Sequence, residues 1–227
     1  NLANFRLGLM RSLRDSGHTV VGLAPHDEYV GEIERAGFEV HDIKLAPRGM
    51  SPPAELATLL SIHRRLSALS PDVILSFTIK CNLYCGLSSR ALGIPILPNI
   101  TGLGSVFDKR SILKSGVSFL YRSSFHTAKK IFFQNETDQS VFLEHGIVPP
   151  SRAKLLPGSG VDLERFPAKD LVHDRESPSF LMMSRLLHEK GVAEYIQAAQ
   201  DLKRRYPKAD FGFAGGFDTD TPTPRPH

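Results

Sequence analysis

Short apolar, β-branched runs alternate with stretches of helical periodicity along most of this chain, and that alternation limits what it can fold into. Thr19–Leu23, Glu39–Leu45, Val73–Thr78, Ile94–Ile100, Lys130–Gln134 and Lys154–Pro157 read as strands. Between them, Tyr29–Ala36, Ala54–Leu69, Asn82–Leu92, Ile112–Thr127 and Thr137–His145 carry the spacing of helices. Pro52 and Pro53 stand before one helix, where a missing N–H costs little, and Gly37, Gly93 and Gly146 follow three others as C-terminal caps. Strands alternating with helices of this length imply βαβ units: an α/β fold with a parallel sheet covered by helices on both faces.

The polar, Pro-containing span Gly160–Pro178 breaks the alternation, and a second α/β unit starts near Ser179. The expected organisation is a first domain over 1–165, a linker over 166–178, the start of a second domain over 179–217, and a disordered tail over 218–227. The chain opens inside a helical pattern (Phe5, Leu9, Met10, Leu13, closing at Gly17) that runs straight into a strand. A preceding strand and its turn are therefore expected to be missing. The strand-like Ala209–Ala214 runs into Gly215-Gly216 and then a Pro/Thr-rich tail that cannot continue a packed layer. The expectation is a fragment whose second domain stops early.

A net charge of +4 and a pI near 9.1 suit an anionic ligand or an anionic membrane surface. The excess is too small for nucleic acid, and there is no Trp and no basic arm interleaved with aromatics. Cys81 and Cys85 lie on one predicted helix, and no further Cys or His pair completes a zinc pattern, so free thiols in a reducing cytoplasm are expected. No signal peptide is visible, and no apolar run approaches the roughly 20 residues that cross a bilayer.

Five motifs fall at strand ends. The run Phe180–Tyr195 reads as a strand ending in Ser184-Arg185, a loop carrying Lys190-Gly191, and a helix. Arg185 and Lys190 are thereby held where a strand gives way to a helix, a position that suits a diphosphate; the bland reading is a pair of solvated surface charges. In Ser76–Asn82, Thr78, Lys80 and Asn82 offer a hydroxyl, a cation and an amide, or else Thr78 or Asn82 caps a helix and Lys80 lies in water. The loop Asn99–Ser105 lets backbone approach a ligand at Thr101 and Gly102, without the spacing of a dinucleotide fingerprint or a Walker loop. In Phe133–Asp138, Asn135 or Thr137 caps the next helix or faces a ligand. The Gly-rich turn Leu156–Asp162, with Gly158 and Ser159, reads as a hinge beside a cleft and is no nucleophile elbow. Separately, Gly102–Lys130 mixes apolar side chains with Lys109, Arg110, Lys114, Arg122, Lys129 and Lys130; it is either an ordinary amphipathic helix or a surface for anionic lipid.

Taken in order, Phe77–Lys80, Asn99–Gly104, Phe133–Asn135, Leu156–Asp162 and Arg185…Glu189-Lys190-Gly191-Val192 resemble family 4 of the retaining glycosyltransferases. The closest likeness is to bacterial enzymes that extend an undecaprenyl-diphosphate-linked sugar in capsule, O-antigen or N-glycan precursor assembly. The resemblance covers nearly the whole chain, from Phe5 to about Phe217. It implies the GT-B architecture of two Rossmann-like domains, the first handling a lipid-linked acceptor and the second a nucleotide-sugar, with a UDP-sugar as the expected donor.

It further implies that Arg185 and Lys190 stabilise the departing diphosphate, with Ser184, Gly191, Gly158, Ser159 and Gly215 on the donor side and Lys80, Thr78, Thr101 and Gly102 on the acceptor side. Neither a metal nor another cofactor is implied, nor a protein nucleophile. The implied location is the cytoplasmic face of the inner membrane, peripherally bound. The family's Gly-rich turn after the first strand and its paired-glutamate motif are absent from this sequence, so little or no turnover is expected of it. Two alternatives stay open: a UDP-sugar epimerase-like relative, and a non-catalytic acceptor-binding module.

Overall fold

A computed structural model of the protein describes residues 2–45, 51–103, 113–168, 177–186 and 190–216. The chain divides into two compact units, Asn1–Phe166 and Pro167–His227. The expected tail, Glu189 of the strand-end motif, most of the expected linker and the basic stretch 104–112 lie outside the described residues.

The first unit opens with α1 (Leu2–Phe5) and α2 (Leu7–Asp15), which are nearly one helix. The amide of Arg6 donates to the Leu2 carbonyl at 2.8 Å and the amide of Met10 to that of Arg6 at 2.8 Å, so the ladder runs through the break. Then come β1 (Val21–Ala24), α3 (Val30–Arg35), β2 (Glu39–Asp42), α4 (Pro52–Leu69), β3 (Ile74–Phe77), α5 (Ile79–Leu92), β4 (Ile96–Ile100), α6 (Leu113–Ser124), β5 (Ile131–Phe133), α7 (Glu136–Glu144) and β6 (Ala153–Leu155). Strands β1 and β2 pair in parallel, and β3-β4-β5-β6 form a second parallel sheet in sequence order. A parallel neighbour needs a crossover, and α5, α6 and α7 supply one between each successive pair of that sheet. This is the parallel α/β architecture that the alternation implies.

The main core lies where those helices meet the sheet. Ile74, Ile96, Ile100, Ile131 and Phe133 of the strands pack against Ile62 and Leu66 of α4, Leu83 of α5, Tyr121 of α6, Phe125 just beyond it, and Phe142 of α7. Four of these are aromatic and mutually in contact: Tyr121, Phe125 and Phe133 each lie within 6.4 Å of Phe142, centroid to centroid, with Phe142 edge-on to Tyr121 and Phe133. Burying a side chain of this size contributes roughly 1.5–3 kcal/mol. Gly86 brings α5 against α6: a Cβ there would stand 2.4 Å from the Ser124 carbonyl oxygen. A smaller cluster of Ala3, Leu7, Met10, Ile33 and Phe38 joins the first two helices to α3.

The second unit holds β7 (Ser179–Met183), α8 (Val192–Arg205) and β8 (Asp210–Ala214), a single βαβ crossover with β7 and β8 in parallel register. Phe180 and Phe211 stack at 5.1 Å, and the Tyr195 hydroxyl lies 2.8 Å from the Gly212 carbonyl and 3.1 Å from that of Phe180, holding α8 to both strands. Element ends differ from expectation by a few residues. Strand β2 stops at Asp42 rather than Leu45, and α5 begins at Ile79 rather than Asn82, because Thr78 turns the chain out of the strand.

Candidate functional site

In parallel sheets the carboxyl ends of the strands form the edge on which side chains of several loops converge. In the first unit that edge begins with Thr78, directly after β3. Thr78 has φ 70° and ψ 156°, a region that a β-branched residue rarely adopts and that costs on the order of 1–3 kcal/mol. It occupies the N-cap position of α5 without a side-chain capping bond; its carbonyl accepts from the Asn82 amide at 2.9 Å. Asn82, the alternative, is not at the cap position. It is fully buried, accepts from the Ser76 hydroxyl at 2.7 Å and donates to the Asn99 carbonyl at 2.9 Å, so it ties β3, α5 and β4 together beneath the edge.

Lys80 does not lie free in water. Its ammonium is 2.6 Å from Oε1 of Glu55, and the Tyr84 hydroxyl donates to the other oxygen of the same carboxylate. Lys80 and Tyr84 are one helical turn apart on α5 and therefore share a face, while Glu55 comes from the first turn of α4. Both partners of the ion pair are largely withdrawn from solvent. The hydrogen bonds from Lys80 and then Tyr84 hold the Glu55 carboxyl below its usual range, and burial followed by Glu55 pushes the Tyr84 phenol up. Glu55 and Tyr84 escape a reading of the sequence, the first because it lies 25 residues from its partner. The i, i+4 spacing of Lys80 and Tyr84 is the one local sign of the cluster.

The remaining acceptor-side candidates follow β4. Thr101 is exposed and Gly102 half-buried, and Leu103 packs back onto the core, so the loop leaves the edge at Thr101. After β5, Asn135 caps α7, its Oδ1 accepting from the Asp138 amide at 2.7 Å. Gln134 donates to the Ser159 hydroxyl at 3.1 Å, joining the end of β5 to the Gly-rich turn after β6. Gly158 at φ 83° gives that turn its sharpness, its amide donating to the Leu156 carbonyl at 2.8 Å. Gly158 and Ser159 thus stand in the first unit, on the same sheet edge as Thr78 and Thr101. Cys81 and Cys85 are free, and burial pushes both thiols up, which makes them poor nucleophiles.

The second unit repeats the geometry on a smaller scale. The Ser184 amide donates to the Ala214 carbonyl at 3.1 Å, and a Cβ on Gly215 would lie 1.8 Å from the Ser184 carbonyl oxygen. Only glycine passes there, so Ser184, Arg185 and Gly215 are brought together at the ends of β7 and β8. Lys190 is exposed and precedes Gly191, whose φ of 74° places it as the N-cap of α8 with no side-chain cap. The first-turn amides of α8 carry the positive end of the helix dipole, and Lys190 directly precedes its N-cap. An apolar groove between α8 and β8, lined by Tyr195, Ile196, Ala199, Phe211 and Phe213, contains neither cation. Among the described residues no cluster of three His, Cys, Asp or Glu side chains is arranged to hold a metal.

Residues 2–158 match the model of the glycosyl transferase 4-like domain. The chain belongs to that family. The glycosyl transferase 4-like domain therefore coincides with the first unit and includes the Glu55–Lys80–Tyr84 cluster and Gly158. A curated relative, the N,N'-diacetylbacillosaminyl-diphospho-undecaprenol alpha-1,3-N-acetylgalactosaminyltransferase of Campylobacter jejuni, is 26% identical over 96% of this chain; the chain spans 61% of that enzyme's length. Among solved structures, a glycosyltransferase from Rickettsia africae ESF-5 aligns with a TM-score of 0.60 at 14% identity, over 97% of this chain and 66% of the other. A UDP-N-acetylglucosamine 2-epimerase from Rickettsia bellii aligns at 0.54 and 14%, over 92% and 59%. Likeness at these identities speaks to the fold alone, the GT-B fold that both kinds of enzyme use.

Proposed function

We propose that this sequence is part of a glycosyltransferase that moves a hexose or N-acetylhexosamine from a UDP-sugar to a polyprenyl-diphosphate-linked saccharide, with retention at the anomeric carbon. The observation that carries the reading is the alignment with the C. jejuni enzyme, whose name states a diphospho-undecaprenol acceptor and which runs over 96% of this chain, through both units. The local chemistry agrees with it. Arg185, beside Gly215, offers a planar fork of donors, and Lys190 a point charge at the start of α8. Together they suit the two phosphates of a leaving UDP, where negative charge grows as the glycosidic bond to the donor breaks. The two cations and the helix amides take the part that a divalent metal plays elsewhere, so no metal or other cofactor enters the proposal.

On the acceptor side, Thr78, Lys80, Thr101 and Gly102 line the edge of the first sheet. Lys80 is already paired with Glu55, which fixes the ammonium in place and leaves it able to share its charge with an incoming phosphate. The setting we propose is surface polysaccharide assembly at the cytoplasmic face of the membrane. No helix among the described residues is long and apolar enough to cross a bilayer, and Phe119 of α6 presents its ring outward at 71% exposure on a helix that also carries Arg122.

The test of the donor assignment is calorimetric titration of the chain with UDP. Arg185→Ala and Lys190→Ala are each expected to weaken binding by about tenfold or more, the value of one charge-assisted hydrogen bond. Unchanged affinity in both variants would remove the donor site from Arg185 and Lys190.

A further inference from the structure

Arg6 stands apart from every other cation described in the first unit. It sits at the break between α1 and α2 with φ −125°, off helical geometry, and is only 6% exposed. Its guanidinium carbon lies 4.1 Å from the centroid of the Phe77 ring. Its Nε is buried and has no hydrogen-bond partner, and none of the ion pairs among the described residues involves it. Burial without a counter-charge pushes the guanidinium pKa down. A stacked aromatic ring compensates a buried cation only in part, and an uncompensated one is costly to keep. The fold nevertheless holds this arginine in place, at a position where a charge-neutral side chain would pack at lower cost.

Phe77 is the last residue of β3, one step before the strained Thr78 and three before Lys80, so Arg6 lies over the same edge as the acceptor-side candidates. In the sheet register Phe77 pairs with Asn99, which with Ile100 ends β4 just before the Thr101-Gly102 loop. Asn99 is 7% exposed, and its Oδ1 is also buried without a partner. Two polar side chains more than nine-tenths buried, one a donor and one an acceptor, are thus left unsatisfied at neighbouring positions of one sheet edge. Buried polar groups are ordinarily paired, so each is a point that a ligand can complete. An anionic oxygen satisfies the guanidinium, and a hydroxyl satisfies the amide oxygen; a sugar diphosphate carries both.

We propose that Arg6 is a ligand-binding residue that engages a phosphate of a diphosphate-bearing substrate, with Asn99 receiving a hydroxyl of the attached sugar. The proposal rests on the glycosyltransferase reading above and deepens its acceptor side: the substrate class is a diphosphate ester. Such a diphosphate belongs either to a lipid-linked saccharide or to a nucleotide, and the experiment separates the two.

Wild-type chain, Arg6→Met and Arg6→Lys are titrated with inorganic diphosphate, UDP and a short-chain polyprenyl-diphosphate-sugar, and each protein's Tm is recorded without ligand. Met keeps the apolar stem and removes the charge; Lys keeps the charge and loses the fork. R6M is expected to lose about tenfold or more in affinity for the lipid-linked ligand, with R6K in between, while UDP binding follows Arg185 and not Arg6. The Tm of R6M is expected to stay level or rise, because an uncompensated buried charge has been removed. Loss of UDP binding alone in R6M would also support the site and make the nucleotide its source. Wild-type affinity for all three ligands in R6M overturns the assignment while the transferase reading stands. A lower Tm in R6M with wild-type affinity overturns it too, making Arg6 a structural residue only. Should R6M fail to fold, wild-type affinity in R6K overturns the assignment of a forked contact. If the wild-type chain binds none of the three ligands, the inference and the functional reading fall together.

Discussion

At the scale of single residues, the Glu55–Lys80–Tyr84 cluster gives the most direct physical consequence. Glu55 binds its proton less tightly in the folded chain than in the unfolded one, because Lys80 and Tyr84 both hydrogen-bond the ionised carboxylate. The cluster therefore contributes its full stabilisation above the usual glutamate pKa of 4.5 and loses it as pH falls through the lower folded value. Glu55→Gln is expected to cost about 1 kcal/mol at neutral pH, and the gap from wild type should close on acidification below pH ~4. Urea melts across pH check this; a gap that does not change with pH would mean that the carboxylate's charge plays no part. Lys80 and Thr78 are legible in the sequence because strand ends are where chemistry gathers. Their partners are not: Glu55 reaches Lys80 across 25 positions, and Arg6 meets Phe77 across 71. Such long-range pairings leave no local pattern, and the buried, unpaired state of Arg6 emerges only from packing.

At the scale of elements, two glycines set how closely backbones approach. A Cβ on Gly86 would meet the Ser124 carbonyl oxygen at 2.4 Å, and one on Gly215 would meet that of Ser184 at 1.8 Å. In both cases the obstacle is backbone, which cannot swing aside as a flexible side chain can. Gly86→Ala is expected to destabilise the first unit by roughly 1–3 kcal/mol by forcing α5 from α6. Gly215→Ala should instead spread the ends of β7 and β8 and weaken UDP binding at Arg185, with less effect on the first unit. Thermal melts and UDP titration of both variants test this, and wild-type behaviour in both would mean that the close approaches relax freely. Strand and helix positions are readable because the strands are short apolar, β-branched runs set between stretches of helical period. Their ends are not: Thr78-Ile79 continues the β-branched character of β3, yet Thr78's positive φ starts α5 at Ile79, three residues before the expected Asn82. Gly86 sits mid-helix, where sequence alone reads it as a weak helix former and not as a packing contact.

At the scale of the whole molecule, the family match covers the first unit and the C. jejuni alignment runs through both; acceptor recognition by the first unit and donor recognition by the second belong to the proposed function. The GT-B fold itself does not separate transferases from epimerases, since solved structures of both share it with this chain. What separates them is dependence on a lipid-linked acceptor: an epimerase needs only the nucleotide-sugar. The order of motifs along the chain points to the family, whereas the Glu55–Lys80–Tyr84 cluster and the Arg6–Phe77 contact exist only in the folded first unit. Equilibrium binding of an undecaprenyl-diphosphate-sugar analogue to the chain, with Lys80→Ala and Arg185→Ala in parallel, separates the two classes. A lipid-linked acceptor gives saturable binding that Lys80→Ala weakens by about tenfold and Arg185→Ala leaves intact. Binding of UDP with no binding of the lipid-linked analogue would contradict a lipid-linked acceptor and point to chemistry on the nucleotide-sugar alone.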